Sequence, residues 1–298
     1  MATRPILVTG GSGQLAMALQ DAARVPLLRV GRPAFDFDRP ETIAASFRAA
    51  NPWLVVNAAA HTAVDAAETD QDAAYRANCD GPADLAHLCA AAGIPLIHVS
   101  TDYVFDGTKP APYVETDKVG PQGVYGASKL AGEQAILASG ADAIILRTAW
   151  VYSHTGKNFV RTMLNVGRTR DRLTVVADQI GCPTAAADLA ETILAIADRL
   201  AEGGWKPEYR GVFHAAGSGE TTWHGLARAV FDAAERHGLR APQVDPICTE
   251  DWPTPAKRPA NSRLDCARLH TVFGLRLPPW QESVRRTVDR IFADQLVG

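Results

Sequence analysis

Hydrophobic positions along this 298-residue chain follow two alternating rhythms. Short, nearly continuous apolar runs at 5–9, 27–30, 53–56, 95–99 and 143–146 predict strands buried on both faces of a parallel sheet. Between them, Ala- and Leu-rich stretches with helical spacing predict helices near 14–23, 41–50, 65–92 and 124–138. Strict alternation of the two predicts an α/β, Rossmann-type doubly wound parallel sheet, with ligands beyond the C-terminal ends of its strands. After Tyr152 the rhythm loosens: helices near 158–168 and 185–200, a strand at 211–215, a helix opened by Thr222 and running to about 236, a Pro-rich stretch at 242–261, and a last helix at 281–294. This second pattern predicts a smaller, interleaved α/β substrate-binding domain. The expected division is 1–153 plus about 185–216 for the dinucleotide, and about 154–184 plus 217–298 for the substrate.

Composition narrows the function classes. With 47% apolar and 21% charged residues the chain has the balance of a globular protein, and a net charge of −3 with no basic run argues against nucleic acid. No stretch approaches the roughly 20 apolar residues of a membrane span. Five scattered cysteines, odd in number and without a C-x-x-C, suit reduced thiols, so the expected location is the cytoplasm.

Chemistry enters at two motifs. Thr9-Gly10-Gly11-Ser12-Gly13-Gln14-Leu15-Ala16 follows the first predicted strand and opens a helix. Gly10 permits a tight turn, Gly13 lets backbone N–H groups approach a pyrophosphate at the start of the helix with Gln14 and Leu15, and Ala16 permits close helix-on-sheet packing. The second strand ends Leu28-Arg29-Val30-Gly31-Arg32, without the carboxylate that usually holds the ribose of NAD. Arg32 is there to pair with a 2′-phosphate, which favours NADPH over NADH. Asp36 and Phe37, and the small-residue strand end Ala60-His61-Thr62, are further cofactor candidates. No other His, Cys or acid stands at ligand spacing beside His61, so no metal site is expected.

About a hundred residues later comes Tyr125-Gly126-Ala127-Ser128-Lys129. Residues four apart share a helix face, which would set the Lys129 ammonium beside the Tyr125 phenol and favour its ionised form. A phenol so tuned is a proton donor for a reduction. Thr101, at the end of the fourth strand, would hang over the same place and hydrogen-bond a substrate carbonyl.

With these motifs the chain resembles the extended short-chain dehydrogenase/reductase superfamily, and within it the reductases of nucleotide-linked keto-sugars. The matching stretches are 56–65, 100–105, 124–126, 129–133, 147–152, Asp178-Gln179, 221–224 and 258–264, which span nearly the whole chain. The resemblance implies NADPH- or NADH-dependent reduction of the C4 ketone of dTDP-4-dehydro-L-rhamnose, the last step of dTDP-L-rhamnose synthesis. It implies Tyr125 as proton donor, Lys129 tuning that phenol and holding the nicotinamide ribose, and Thr101 polarising the carbonyl. Asp102 and Trp150 are placed with the sugar, and Arg258, Asn261 and Ser262 with the pyrophosphate or thymidine.

The nearest rivals are an epimerase or dehydratase, and a non-catalytic regulatory subunit on the same fold. Dehydratases of the superfamily use a Thr-Asp-Glu acid pair, and Tyr103 stands here where that Glu would be. Intact Thr101, Tyr125 and Lys129 weigh against the regulatory subunit. Some relatives dimerise through Mg²⁺ held by surface carboxylates, but here the helix after the Gly-rich turn reads Leu15-Ala16-Met17-Ala18-Leu19-Gln20 and the stretch before Asp188 is Ala185-Ala186-Ala187. Apolar faces offer Mg²⁺ no oxygen ligands, so a monomer, or a homodimer not bridged by metal, is expected.

Overall fold

A computed structural model describes residues 4–297. Its frame is a six-stranded parallel sheet built from β1 (Ile6–Thr9), β2 (Leu27–Val30), β3 (Leu54–Asn57), β4 (Leu96–Thr101), β5 (Ala143–Thr148) and an edge strand, Gly211–His214. From that edge the order is Gly211–His214, β5, β4, β3, β1, β2. All four residues of β1 and all six of β5 are buried, which is why these runs carry no polar alternation except where a buried partner exists. The chain leaves β1 for β2 on one side and returns to β3 on the other, and this reversal opens a crevice at the C-terminal ends of β1 and β3.

Helix α1 (Gln14–Ala22) and the long helix Ala186–Gly203 pack together on one face of the sheet, where Leu15, Leu19, Leu189, Ile193 and Ile196 join Ile6, Val8 and Val56 in one core. Helix α2 (Pro40–Ala50), the helix Gly81–Ala92 and the helix Val124–Ala138 cover the other, with Phe47, Leu85 and Ile136 against Leu7, Val55 and Ile145. The stretch expected as one helix over 65–92 is broken into Val64–Ala67, Gln71–Tyr75, a π-helical turn at Arg76–Asp80, and Gly81–Ala92.

The smaller lobe is built on short pieces. Thr221–Thr222, Ile180–Gly181 and Asn261–Ser262 form one sheet; Val151–Tyr152 pairs in parallel with Thr184–Ala185; and Phe159–Gly167, Trp223–Glu235 and Trp280–Val297 share a core containing Val160, Leu164, Leu226, Val230, Val284 and Val288. Thr222 caps its helix through Gly225 N at 3.0 Å. The parallel pair Arg172–Val176 with Gln243–Ile247 and the helix Ala267–Phe273 were not expected from the sequence. Gln243–Ile247 contains Pro246, which is tolerated because a two-stranded sheet leaves an open edge for a residue without an N–H. Among the described residues no helix is long and apolar enough to cross a membrane.

Candidate active site

The polar ends of the strands determine what the crevice holds. Gly10 has φ +107°, and a Cβ there would lie 3.0 Å from the Ala58 carbonyl, so only glycine lets the turn pass beneath β3. Gly13 N closes the turn on Gly10 O at 2.8 Å, and among the described residues no side chain caps the first N–H groups of α1. Those donors are left for an anion, and the helix dipole favours one. A Cβ on Gly31 would come 2.5 Å from Gly11 Cα. The position where an NAD enzyme usually carries its carboxylate is therefore closed to any side chain unless Gly11 shifts.

From this turn a cleft of about 1190 Å³ runs along the sheet edge into the smaller lobe. Its walls include Gly10, Gly13, Gln14 and Leu15; Arg32, Asp36 and Phe37; Ala60, His61 and Thr62; Thr101 and Asp102; Tyr125 and Lys129; and Trp150. Arg258, Asn261 and Ser262 do not line it. Arg258 bonds Asp65 Oδ2 at 2.7 Å, strapping the Pro-rich loop to the segment after β3. Asn261 spends its amide on Lys109 O at 2.6 Å and Ala111 O at 2.9 Å. Ser262 is buried beside Asp102.

The Tyr125 helix is held by residues distant in sequence. Its N-cap, Gly123, has no side chain to offer, and Glu68 Oε1 accepts from Val124 N at 2.9 Å instead. Gly126 lets the helix start lie against the Tyr103 carbonyl, which a Cβ would meet at 2.2 Å. Asn78, fully buried in the π-helical turn, accepts from His61 N at 2.8 Å and donates to His61 O at 3.1 Å and Ser128 Oγ at 3.0 Å. It thus ties the cofactor-side loop after β3 to the catalytic helix, a use consistent with π-bulges at functional sites. One turn beyond Lys129, Glu133 makes a buried bidentate pair with Arg147, at 2.9 and 2.6 Å, and accepts from Ser100 Oγ at 2.5 Å.

The electrostatics differ from the expectation drawn from spacing alone. Lys129 is buried, but its ammonium reaches across to Val99 O at 2.7 Å and His98 Nε2 at 3.1 Å. Burial pulls its pKa down to about 8, with Glu133 opposing. Tyr125 is not held in ionised form: burial pushes its phenol up to about 12, the Thr101 hydroxyl acts in the opposite direction, and the Asp102 charge adds to the rise. Helix spacing put the two side chains on one face; packing on β4 gave the lysine nearer partners. Thr101 Oγ1 bonds Asp102 Oδ1 at 3.0 Å and accepts from Tyr103 N at 3.2 Å. Asp102 is buried, and that raises its carboxyl to about 6; the nearby Ser262 hydroxyl and the hydrogen bond from Thr101 oppose the rise.

Two tryptophans close the far end. Trp150 is held at φ +49°, uncommon for a bulky residue, and stacks on Trp223 with ring centroids 3.6 Å apart and planes 10° apart. Trp223 Nε1 donates to Gln179 Oε1 at 3.1 Å, and Gln179 is fixed in turn by Thr249 at 3.1 Å. Sequence reasoning placed Trp150 at the site but gave Trp223, Gln179, Asn78 and His98 no role. Buried polar atoms along the cleft, His61 Nδ1 and Thr148 Oγ1, have no partner among the described residues, as suits groups that face a polar ligand.

A Gly-rich turn on the first strand of a parallel sheet, and a Tyr-Lys helix meeting it in one cleft, define a nicotinamide-dependent oxidoreductase of the extended short-chain dehydrogenase/reductase type. Residues 3–292 match the family described as RmlD substrate binding domain. The chain is 48% identical over 285 residues to dTDP-4-dehydrorhamnose reductase of Sinorhizobium fredii, covering 95% of this chain and 96% of that protein. Its fold matches the crystal structure of a dTDP-4-dehydrorhamnose reductase from Clostridium acetobutylicum with a TM-score of 0.88, 37% identity, and coverage of 96% and 99%. It also matches the Bacillus anthracis enzyme in complex with NADP, with a TM-score of 0.89, 32% identity, and coverage of 97% and 99%. The chain belongs to the dTDP-4-dehydrorhamnose reductase family.

Proposed function

We propose that this chain reduces the C4 ketone of dTDP-4-dehydro-L-rhamnose to dTDP-L-rhamnose with NADPH or NADH, the last step of dTDP-L-rhamnose synthesis. The observation that carries the reading is the meeting of Tyr125, Thr101 and Lys129 in the same cleft as the Gly10–Leu15 turn. The cofactor fits the residues present: uncapped N–H groups at the start of α1 for its pyrophosphate, a backbone crossing that only glycine permits, and unpartnered polar atoms along its path. When bound, the reduced nicotinamide supplies hydride to the carbonyl carbon. Tyr125 then gives its phenolic proton to the oxygen as negative charge develops there, and the Thr101 hydroxyl, turning from Asp102 Oδ1, donates a hydrogen bond to the same oxygen. Lys129, held from β4, presents a positive charge to the cofactor ribose and to the phenol once it has lost its proton.

The absence of a side chain at Gly31 and the presence of Arg32 in the cleft wall support NADPH being used at least as well as NADH. The smaller lobe, about 154–184 and 217–298, is assigned to the nucleotide sugar, with Trp150 on Trp223 as its flat wall for the sugar. Arg258, which lies close enough to Tyr103 to act on its phenol but is not part of the cleft wall, is the residue proposed to meet the pyrophosphate of the substrate. Asp188, a carboxylate at the start of the helix Ala186–Gly203, is taken up by Arg286 at 2.5 Å and by Ser283. This supports a monomer, or a dimer formed without metal, and light scattering with and without EDTA tests it: a dimer that dissociates on chelation contradicts it. The reaction itself is tested by following oxidation of NADPH with dTDP-4-dehydro-L-rhamnose and identifying the sugar product.

A further inference from the structure

At the β2 end of the cleft, the two oxygens of one carboxylate are each held by a different arginine. Asp38 Oδ2 accepts from Arg32 Nη2 at 2.6 Å, and Asp38 Oδ1 accepts from Arg76 Nε at 2.9 Å. Arg32 also bonds Asp36 Oδ1 at 2.8 Å. All four side chains line the cleft that begins at the Gly-rich turn.

We propose that Arg76, together with Arg32, recognises the 2′-phosphate of NADPH, and that Asp38 keeps the two guanidiniums aimed at that point until the phosphate takes its place. The inference rests on the reading of the cleft as a nicotinamide dinucleotide site. Arg32 follows from the end of β2; Arg76 and Asp38 do not, because Arg76 comes from a separate element some forty residues on.

The geometry supports the exchange in three ways. A carboxylate bridging two guanidiniums occupies the place that a larger anion with more oxygens would take, and a phosphate accepts guanidinium hydrogen bonds more fully and carries nearly twice the charge. The pairs are open to water, with the side chains of Arg32, Arg76 and Asp38 being 66%, 46% and 41% exposed, so neither arginine is locked to its carboxylate. Arg76 is also well placed by its backbone. It opens the π-helical turn whose Asn78 clamps the His61 backbone and Ser128, so the segment that aims Arg76 is anchored to both the cofactor loop and the catalytic helix. Asp70 and Asp72 lie close enough to strengthen the charged form of Arg76, and they oppose an incoming phosphate. This opposition makes the second arginine necessary.

The test uses calorimetry on the full chain with 2′,5′-ADP and 5′-AMP, two probes that differ only in the 2′-phosphate and need no turnover. Arg76→Ala should weaken 2′,5′-ADP about tenfold or more and leave 5′-AMP within about twofold, with the loss shrinking at high salt. Asp38→Asn, which keeps the side-chain shape and removes the competing charge, should tighten 2′,5′-ADP and not 5′-AMP. Arg76→Ala with unchanged 2′,5′-ADP affinity, or with equal loss for both probes, overturns the inference while leaving the cofactor site intact. If neither probe binds the unmodified chain, the cofactor reading of the cleft fails and this inference fails with it.

Discussion

Lys129 Nζ stands 3.1 Å from His98 Nε2, so the lysine of the catalytic helix is positioned by strand β4 and not by the tyrosine one turn before it. His98 is fully buried; burial and the Lys129 charge hold its pKa well below the usual imidazole range, so the ring is neutral. Asn57 lies 2.9 Å from His98 Nδ1 and meets Thr9 through its carbonyl oxygen at 2.5 Å. A buried polar line thus joins the strand of the Gly-rich turn to the catalytic lysine.

This placement sets the pH dependence. Burial brings the Lys129 pKa down to about 8, so the charged form is present below that pH and is lost above it. Tyr125, at about 12, keeps its proton throughout and contributes no break. We expect kcat/KM for the reduction to hold steady towards neutrality and to fall above about pH 8, and Lys129→Arg to abolish that alkaline fall if it retains activity. The linkage has the matching sign. Between about pH 8 and the 10.5 of an exposed lysine, the unfolded chain binds more protons at this group, so its contribution to stability rises with pH there. An alkaline limb at or above pH 10 in the pH–rate profile would contradict the account.

Gly31 offers a second test, because its missing side chain is read both as cofactor selectivity and as packing. A Cβ there would lie 2.5 Å from Gly11 Cα. Gly31→Asp is therefore expected to weaken NADPH and NADH together, each by about tenfold or more, because the pyrophosphate turn must move. A clean switch to NADH, with that cofactor bound more tightly, would show that the turn has room for the carboxylate.

The tryptophan pair separates substrate binding from proton chemistry. Trp150→Ala should raise KM for the nucleotide sugar about tenfold with cofactor affinity unchanged, since it removes a contact surface. Trp223→Ala should do the same more weakly, by freeing the Trp150 ring to tilt. Steady-state kinetics and a cofactor titration on each folded variant decide it; an unchanged KM in Trp150→Ala would remove the ring from the sugar site.

How far the sequence discloses this site follows from how local each signal is. The Gly10–Leu15 turn and the Tyr125–Lys129 helix lie within a few residues each, and the alternating apolar runs made the sheet legible. Asn57, Ser100 and Arg147 extend β3, β4 and β5 beyond the apolar runs, because partners on other elements satisfy them. Asn78 lies inside a helical pattern, and its use depends on His61 and Ser128, which helical periodicity cannot indicate. For the same reason the expected coupling of Lys129 to the Tyr125 phenol was drawn too simply: spacing assigns a face, while the nearest partner on that face comes from β4.

The most direct test of the central claim follows NADPH oxidation with dTDP-4-dehydro-L-rhamnose in the unmodified chain and in Tyr125→Phe, with NADPH affinity measured on both. We expect the unmodified chain to turn over and to yield dTDP-L-rhamnose. Tyr125→Phe should bind NADPH with similar affinity and turn over at least about a hundredfold more slowly, the loss typical of a missing general acid. An unmodified chain that binds NADPH but does not oxidise it with this substrate, or a Tyr125→Phe variant with full turnover, would contradict the account.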